Sequence, residues 1–270
     1  MFLSRLLLVT ACAVPFAPAV AHEYWIEPES YQVAADDSIQ AHFKNGQEFA
    51  GITLAFFDRS SLRFEQMFDG QVTPITARSG DSPAVQLEAL NKDGLLVLAY
   101  ETTQSKITYR EWPKFLKFAE HKDFPDAAAD HVANGWPQGN FKESYSRHVK
   151  SLVGVGTSLG SDAELGLQTE FVALTNPYAD GFDGQMSVAL MYQGEPRADA
   201  QVEVFERTPD DKVNITLHRT DMQGHATIPV LAGHDYLFDA VVLRPAPASE
   251  DPGAPVWETL WAALTFAVPQ

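Results

Sequence analysis

Between residues 23 and 110, short apolar runs alternate with turn clusters, the pattern of an antiparallel sandwich. Glu23–Glu27 reads as a first strand, with a break around Ala34-Ala35-Asp36-Asp37. Ile39, Ala41 and Phe43 then alternate with Gln40, His42 and Lys44, which predicts a half-buried strand with His42 on its polar face. Further strands fit Thr53–Phe57, Val85–Leu90 and Leu95–Thr102. A hairpin between the first two strands would bring His22 near Gln47-Glu48-Phe49 and make Glu48 a candidate ligand or supporting group.

The period changes after Trp112. Pro113 followed by Phe115, Leu116, Phe118 and Ala119 predicts a short amphipathic helix. Pro125 opens a second, through Val132, that ends at Gly135, and a third is expected from Phe141 to about Lys150. This helical insert at about 112–150 contributes His121, His131 and His148, the last sharing a helix face with Ser144 and Tyr145. From Glu170 onward the pattern is strands again: Glu170–Thr175, Met186–Gln193, Gln201–Arg207, Asn214–Arg219, Ala226–Pro229, Tyr236–Leu243 and Trp257–Val268. Short strands at that spacing suit an immunoglobulin-like or transthyretin-like sandwich. The expected fold is mainly β, with two β-sandwich domains: 22–165, carrying the insert, and 166–270.

Composition narrows the function. The 270 residues carry 19 Lys plus Arg against 36 Asp plus Glu, a net charge of −17, so nucleic acid is not an expected partner. Residues 1–21 have the form of a secretory signal peptide: Arg5, an apolar stretch from Leu6 to Phe16, and the small-x-small run Ala19-Val20-Ala21. Pro15 and Pro18 break the run before it is long enough to span a bilayer, and no later segment is long enough. The expected location is therefore periplasmic, with no membrane span in the mature form. Cys12, the single cysteine, would leave with the leader, which excludes disulfides, thiolate metal sites and cysteine nucleophiles.

Cleavage after Ala21 would make His22 the first residue. A terminal histidine offers its α-amine and imidazole Nδ1 to one metal ion, and the amine's ordinary pKa of about 7.7–8.0 lets a divalent ion displace its proton near neutrality. One more imidazole, from His42, His131, His148, His225 or His234, would complete a nitrogen-only site suited to Cu(II) or Ni(II). Copper-resistance periplasmic proteins and lytic polysaccharide monooxygenases use such a brace. Other motifs read as structure. Gly156-Thr157-Ser158-Leu159-Gly160 matches a hydrolase elbow, but a polar loop rather than a helix follows it. Asp180–Gly184 lacks the spacing of a calcium loop. Asp221–Gly224 ahead of His225, and Gly233-His234-Asp235, read as turns. Trp257 and Trp261 fall on one face of a terminal strand and read as core.

Six runs taken in order carry a resemblance: His22–Pro28, Asn45–Gly51, Glu143–Val153, Asn176–Tyr178, Thr220–Gly224 and Trp257–Phe266. Together they resemble a bacterial periplasmic domain family of unknown function, formerly described as the substrate-specific component of nickel/cobalt uptake. The resemblance implies a mature chain that begins with histidine, as His22 would. The C-terminal half also resembles the carboxypeptidase-regulatory-like sandwich, in Gly194-Glu195-Pro196, Val202-Glu203-Val204 and the Thr220–Gly224 turn, a module that is usually accessory. The expected function is a non-catalytic, transition-metal-binding protein taking copper or nickel/cobalt. Its candidate ligands are His22, His42, His131, His148 and Glu48, and its partner a membrane transporter or outer-membrane receptor. The acidic surface would help to concentrate cations. The competing expectation is a metal-free accessory module docking on an outer-membrane or envelope partner. A third, a copper oxidase acting on polysaccharide, would need a flat aromatic face around the brace.

Overall fold

The computed structural model describes residues 22–270, so the leader expected at 1–21 lies outside the described residues. The first part of the chain forms β1 (Glu23–Pro28), β2 (Gln32–Val33), β3 (Ile39–Gln47), β4 (Ala50–Leu54), β5 (Ser61–Phe68), β6 (Gln71–Pro74), β7 (Val85–Leu87), β8 (Gly94–Thr102) and β9 (Ser105–Tyr109). Two helices follow, α1 (Trp112–His121) and α2 (Ala127–Ala133), and then the long strand β10 (Phe141–Val155). The remainder is β11 (Thr169–Ala173), β12 (Gln185–Tyr192), β13 (Glu195–Pro196), β14 (Gln201–Arg207), β15 (Val213–Arg219), β16 (His225–Pro229), β17 (Asp235–Pro245) and β18 (Trp257–Ala267). The described residues are mainly β, and among them are several sheets, no barrel and two short helices, an arrangement consistent with β-sandwich domains.

The central layer is a ten-stranded sheet in the order β15-β14-β17-β18-β10-β8-β5-β6, with β2 and β9 also paired to β10. Its hub is β10, which runs parallel to β18 on one side and antiparallel to β8 and β9 on the other. Successive side chains of these strands point to opposite faces. Val149 and Val153 of β10 join Trp25, Ile26 and Phe43 beneath the small sheet β1-β3-β4 with β7. Leu152, Ala262 and Leu264 instead join Phe171, Val188 and Phe238 beneath the other small sheet, β11-β12-β13 with β16. Further along the first face, α1 and α2 cover a third cluster built on Phe115, Phe141, Trp257 and Trp261.

The expected helices at Pro113 and Pro125 form, and α1 buries Phe115, Phe118 and Ala119 as its periodicity requires. The third expected helix does not. Residues 141–150 belong to β10, which is covered on both faces, so nearly every position is buried. A central strand buried on both faces is normally a run of Val, Ile and Leu. Here Glu143, Ser144, Ser146, Arg147, His148 and Lys150 fill such positions, and this polar content disguised the strand. As a result His148 lies on the same side as Ser144 and Ser146 and opposite to Tyr145, rather than on a helix face with both.

Candidate functional site

The expected hairpin is present. β1 pairs antiparallel with β3 in the register Glu23↔Gly46 and Tyr24↔Asn45, so one further step sets His22 across from Gln47. His22 is exposed, whereas Glu23 beside it is 3% exposed. Three hydrogen bonds fix this strand end. Arg147 Nη2 donates to the His22 carbonyl at 2.6 Å, Asn45 Nδ2 to the Glu23 carbonyl at 3.1 Å, and the Glu48 backbone N–H to Glu23 Oε2 at 3.1 Å. Glu48 itself is exposed, at φ 52° in the β3–β4 turn.

Beneath Glu23 lies a buried row of charge. Glu203 of β14 pairs with Asp239 of β17, so the two carboxylates are neighbours on one face of the central sheet. Lys122, just past α1, reaches down between them, with Nζ 2.9 Å from Asp239 and 2.5 Å from Glu203. His121 adds a contact of 3.2 Å to Glu203. Burial pushes the Glu23 carboxyl up to about 7, reinforced by the negative charges of Asp239 and Glu203 and opposed by Lys122.

Two strands beyond β17, on β10, stands Arg147, 7% exposed. Its guanidinium lies 4.2 Å from the centre of the Trp261 ring and 5.3 Å from that of Tyr145, within cation–π range. Its backbone N–H donates to Thr102 Oγ1 at 2.9 Å. Nη1 has no hydrogen-bond partner and no exposure to solvent. On the same face of β10, four residues earlier, Glu143 accepts from Thr259 Oγ1 at 2.5 Å through Oε1, while its Oε2 has no hydrogen-bond partner. Burial pushes this carboxyl to about 7, against the pull of Thr259, the nearby Tyr109 hydroxyl and the Arg147 charge.

Both residues line a cavity of about 380 Å³ that opens beside His22. Its walls include the aromatic rings of Tyr24, Tyr100, Tyr109, Tyr145 and Trp261, with Phe57 and Ile107 also lining it. Such a volume, mostly apolar with a few convergent polar groups, has the character of a small-molecule site.

The other expected ligands stand apart from this mouth. His42 is paired by register with Glu27, four places along β3 from the Glu23 partner Gly46, and its Nε2 lies 3.1 Å from Glu29. His131 is a core residue: its Nδ1 accepts from Trp257 Nε1 at 2.9 Å and its Nε2 lies 3.0 Å from the Pro137 carbonyl. His148 points to the opposite face of β10 from Arg147, with Nε2 3.0 Å from Ser146 Oγ and Nδ1 3.4 Å from Glu101. Burial, followed by the charges of Arg147, Arg244 and Arg63, depresses its pKa to about 4. His225 follows its turn, and His234 Nδ1 contacts Glu206 at 2.6 Å. Among the described residues, no three His, Cys, Asp or Glu side chains gather as a metal site. Ser158 of the elbow-like motif is buried, with Oγ 3.4 Å from the Gly156 carbonyl. Arg147 and Glu143 were not among the expected site residues. Reading residues 141–150 as a strand would have revealed them, since Glu143, Tyr145 and Arg147 then share one face.

A family model described as a domain of unknown function (DUF4198) matches residues 19–244. No curated protein matches the chain. Among solved structures it is similar, at 9% identity and a TM-score of 0.21, to the tetra-tandem repeat in the extending region of a large adhesion protein. That match covers 91% of this chain and 49% of the other, so the chain spans about half of that relative's length. It is also similar, at 12% identity and a TM-score of 0.21, to the D0-D1 domain of intimin, over 90% of this chain and 97% of the other. TM-scores this low establish no shared fold. Among the described residues, no helix is long and apolar enough to cross a membrane.

Proposed function

We propose that this chain, which belongs to the family of the domain of unknown function DUF4198, is a secreted, periplasmic binding protein for a transition-metal ion. In this reading copper or nickel/cobalt is the cargo, held by the His22 amine and imidazole once the leader is removed, for uptake, buffering or delivery to a membrane transporter. The observation that carries it is the clamp on the strand end, with the exposed His22 tethered through its carbonyl to the buried Arg147 at 2.6 Å. A chelating residue held in place loses little freedom on binding, so more of the coordination energy appears as affinity. The expected second imidazole, which would be the third nitrogen, finds no support in the positions of His42, His131 and His148. Two nitrogens from His22, with the remaining positions left to water or to a partner's ligand, suit an ion that is picked up and handed on.

The test is calorimetric titration with Cu(II) and with Ni(II). Protein beginning at His22 should bind one equivalent, while a version with one glycine ahead of His22, and His22→Ala, should bind at least tenfold more weakly. Equal affinity across the three would overturn the chelate.

A second reading, a metal-free accessory module docking on an outer-membrane or envelope partner, is favoured by the edge strand β15. It lies at one end of the central sheet and exposes Ile215 (43%) and Leu217 (60%). An open edge of this kind is a template for strand addition. If Leu217→Lys abolished co-sedimentation with envelope membranes and His22→Ala did not, this reading would displace the first.

A further inference from the structure

The cavity behind His22 holds features that metal binding does not use. Arg147 is 93% buried by its 7% exposure, in a chain of net charge −17, and still leaves Nη1 without a partner. Buried polar groups in native proteins are nearly always paired, so an orphaned arginine donor calls for an occupant. Arginine is the residue suited to paired recognition of a carboxylate or phosphate. Here its plane is already set by Trp261 and by the bond from Nη2 to the His22 carbonyl.

Glu143 Oε2, near the Tyr109 hydroxyl but without a hydrogen bond, lies in the wall of the same cavity. The pair presents a donor at one end and a carboxyl at the other, with the Tyr145 ring between them along β10. At the mouth, Phe57 is 40% and Ile107 44% exposed, large apolar side chains lining the opening of a cavity of about 380 Å³. The Arg59 guanidinium lies 5.2 Å from the Phe57 ring centre, a further cation on the approach. An occupant complementary to these features has an anionic head, a flat apolar body and a hydrogen-bond donor at its far end.

We infer that this cavity is a binding site for a small organic carboxylate on an aromatic body, its head group on Arg147 and its distal donor on Glu143. The site goes beyond the metal reading and does not depend on it, because the His22 imidazole takes no part.

The probe is 4-hydroxyphenylacetate, titrated by calorimetry and ligand-observed NMR into metal-free protein beginning at His22, with chelator present so that the metal reading is silent. Saturable one-to-one binding is expected, weaker for phenylacetate, which lacks the donor, and absent for tyramine, which replaces the carboxylate by an amine. Arg147→Lys should weaken binding at least tenfold. Ile107→Trp, which adds bulk at the mouth from the cross-strand neighbour of Glu143, should do so in a chain whose fold is intact by circular dichroism. No saturable binding of 4-hydroxyphenylacetate would overturn the site, as would equal binding of tyramine or affinity unchanged by Ile107→Trp.

Discussion

Two buried titratable residues of β10 act in opposite directions with pH. Glu143 has a folded pKa of about 7 against an ordinary 4.5, so the folded state holds its proton more tightly than the unfolded chain. Its contribution is most favourable below pH 4.5 and is lost as pH rises through 7, a cost of ~3 kcal/mol at alkaline pH for a shift of this size. Glu143→Gln should therefore melt higher than wild type at pH 8.5 and show no such gain at pH 4.5; a pH-independent offset in thermal melts would refute it. His148 is depressed, from 6.5 to about 4, so its contribution is present above 6.5 and lost as pH falls toward 4. His148→Gln should flatten the acid side of the same melting profile. The residue-level expectations fared according to locality. The turn at Asp221 was legible because its bonds are local: Asp221 Oδ1 accepts from the Gln223 and His225 backbone N–H groups, and Gly224 takes φ 75°. The place of His131 beside Trp257 was not, because its partner lies 126 residues away.

At the scale of elements, strands covered on one face were readable and β10 was not. β3 forms where expected because Ile39, Ala41 and Phe43 are buried while Gln40, His42 and Lys44 between them are not, the alternation of a pleated half-buried surface. β10 is a polar strand in a buried position, held by charges that other elements bring to it. Lys150 illustrates the device: its Nζ lies 2.8 Å from Asp162 and 3.3 Å from Glu170, all three fully shielded from solvent. Lys150→Ala would leave two carboxylates buried without a cation and should destabilise the protein by about 3–5 kcal/mol. Urea unfolding is the check, with a fall in midpoint at constant slope expected; a loss under 1 kcal/mol would mean that water reaches the cluster.

At the scale of the molecule, the central sheet joins distant stretches of chain. The parallel ladder from Glu143↔Trp257 to Ser151↔Thr265 ties the segment before residue 165 to the last strand, and Thr265 Oγ1 donates to the Ile26 carbonyl at 2.6 Å. Apolar packing follows the same route, with Phe205, Leu237 and Ala263 joining the cluster of Trp25 and Phe43. Cooperative units follow such shared cores. Thermal unfolding should thus be one transition, with equal calorimetric and van't Hoff enthalpies. Two separate transitions, or a folded fragment 166–270, would show that the halves are independent.

What the sequence determined alone was whatever depends on neighbours in the chain: the β class, the two proline-led helices, the β1–β3 hairpin beside His22 and the acidic balance that disfavours nucleic acid. Only the tertiary structure decided where the polar residues of 141–150 would go, and hence that Arg147 and Glu143 line a cavity at the mouth of which His22 stands. The physical reason is that burial of a charge is settled by distant partners, Trp261, Thr259, Lys122 and Asp239 among them, and no local pattern records which partners will arrive.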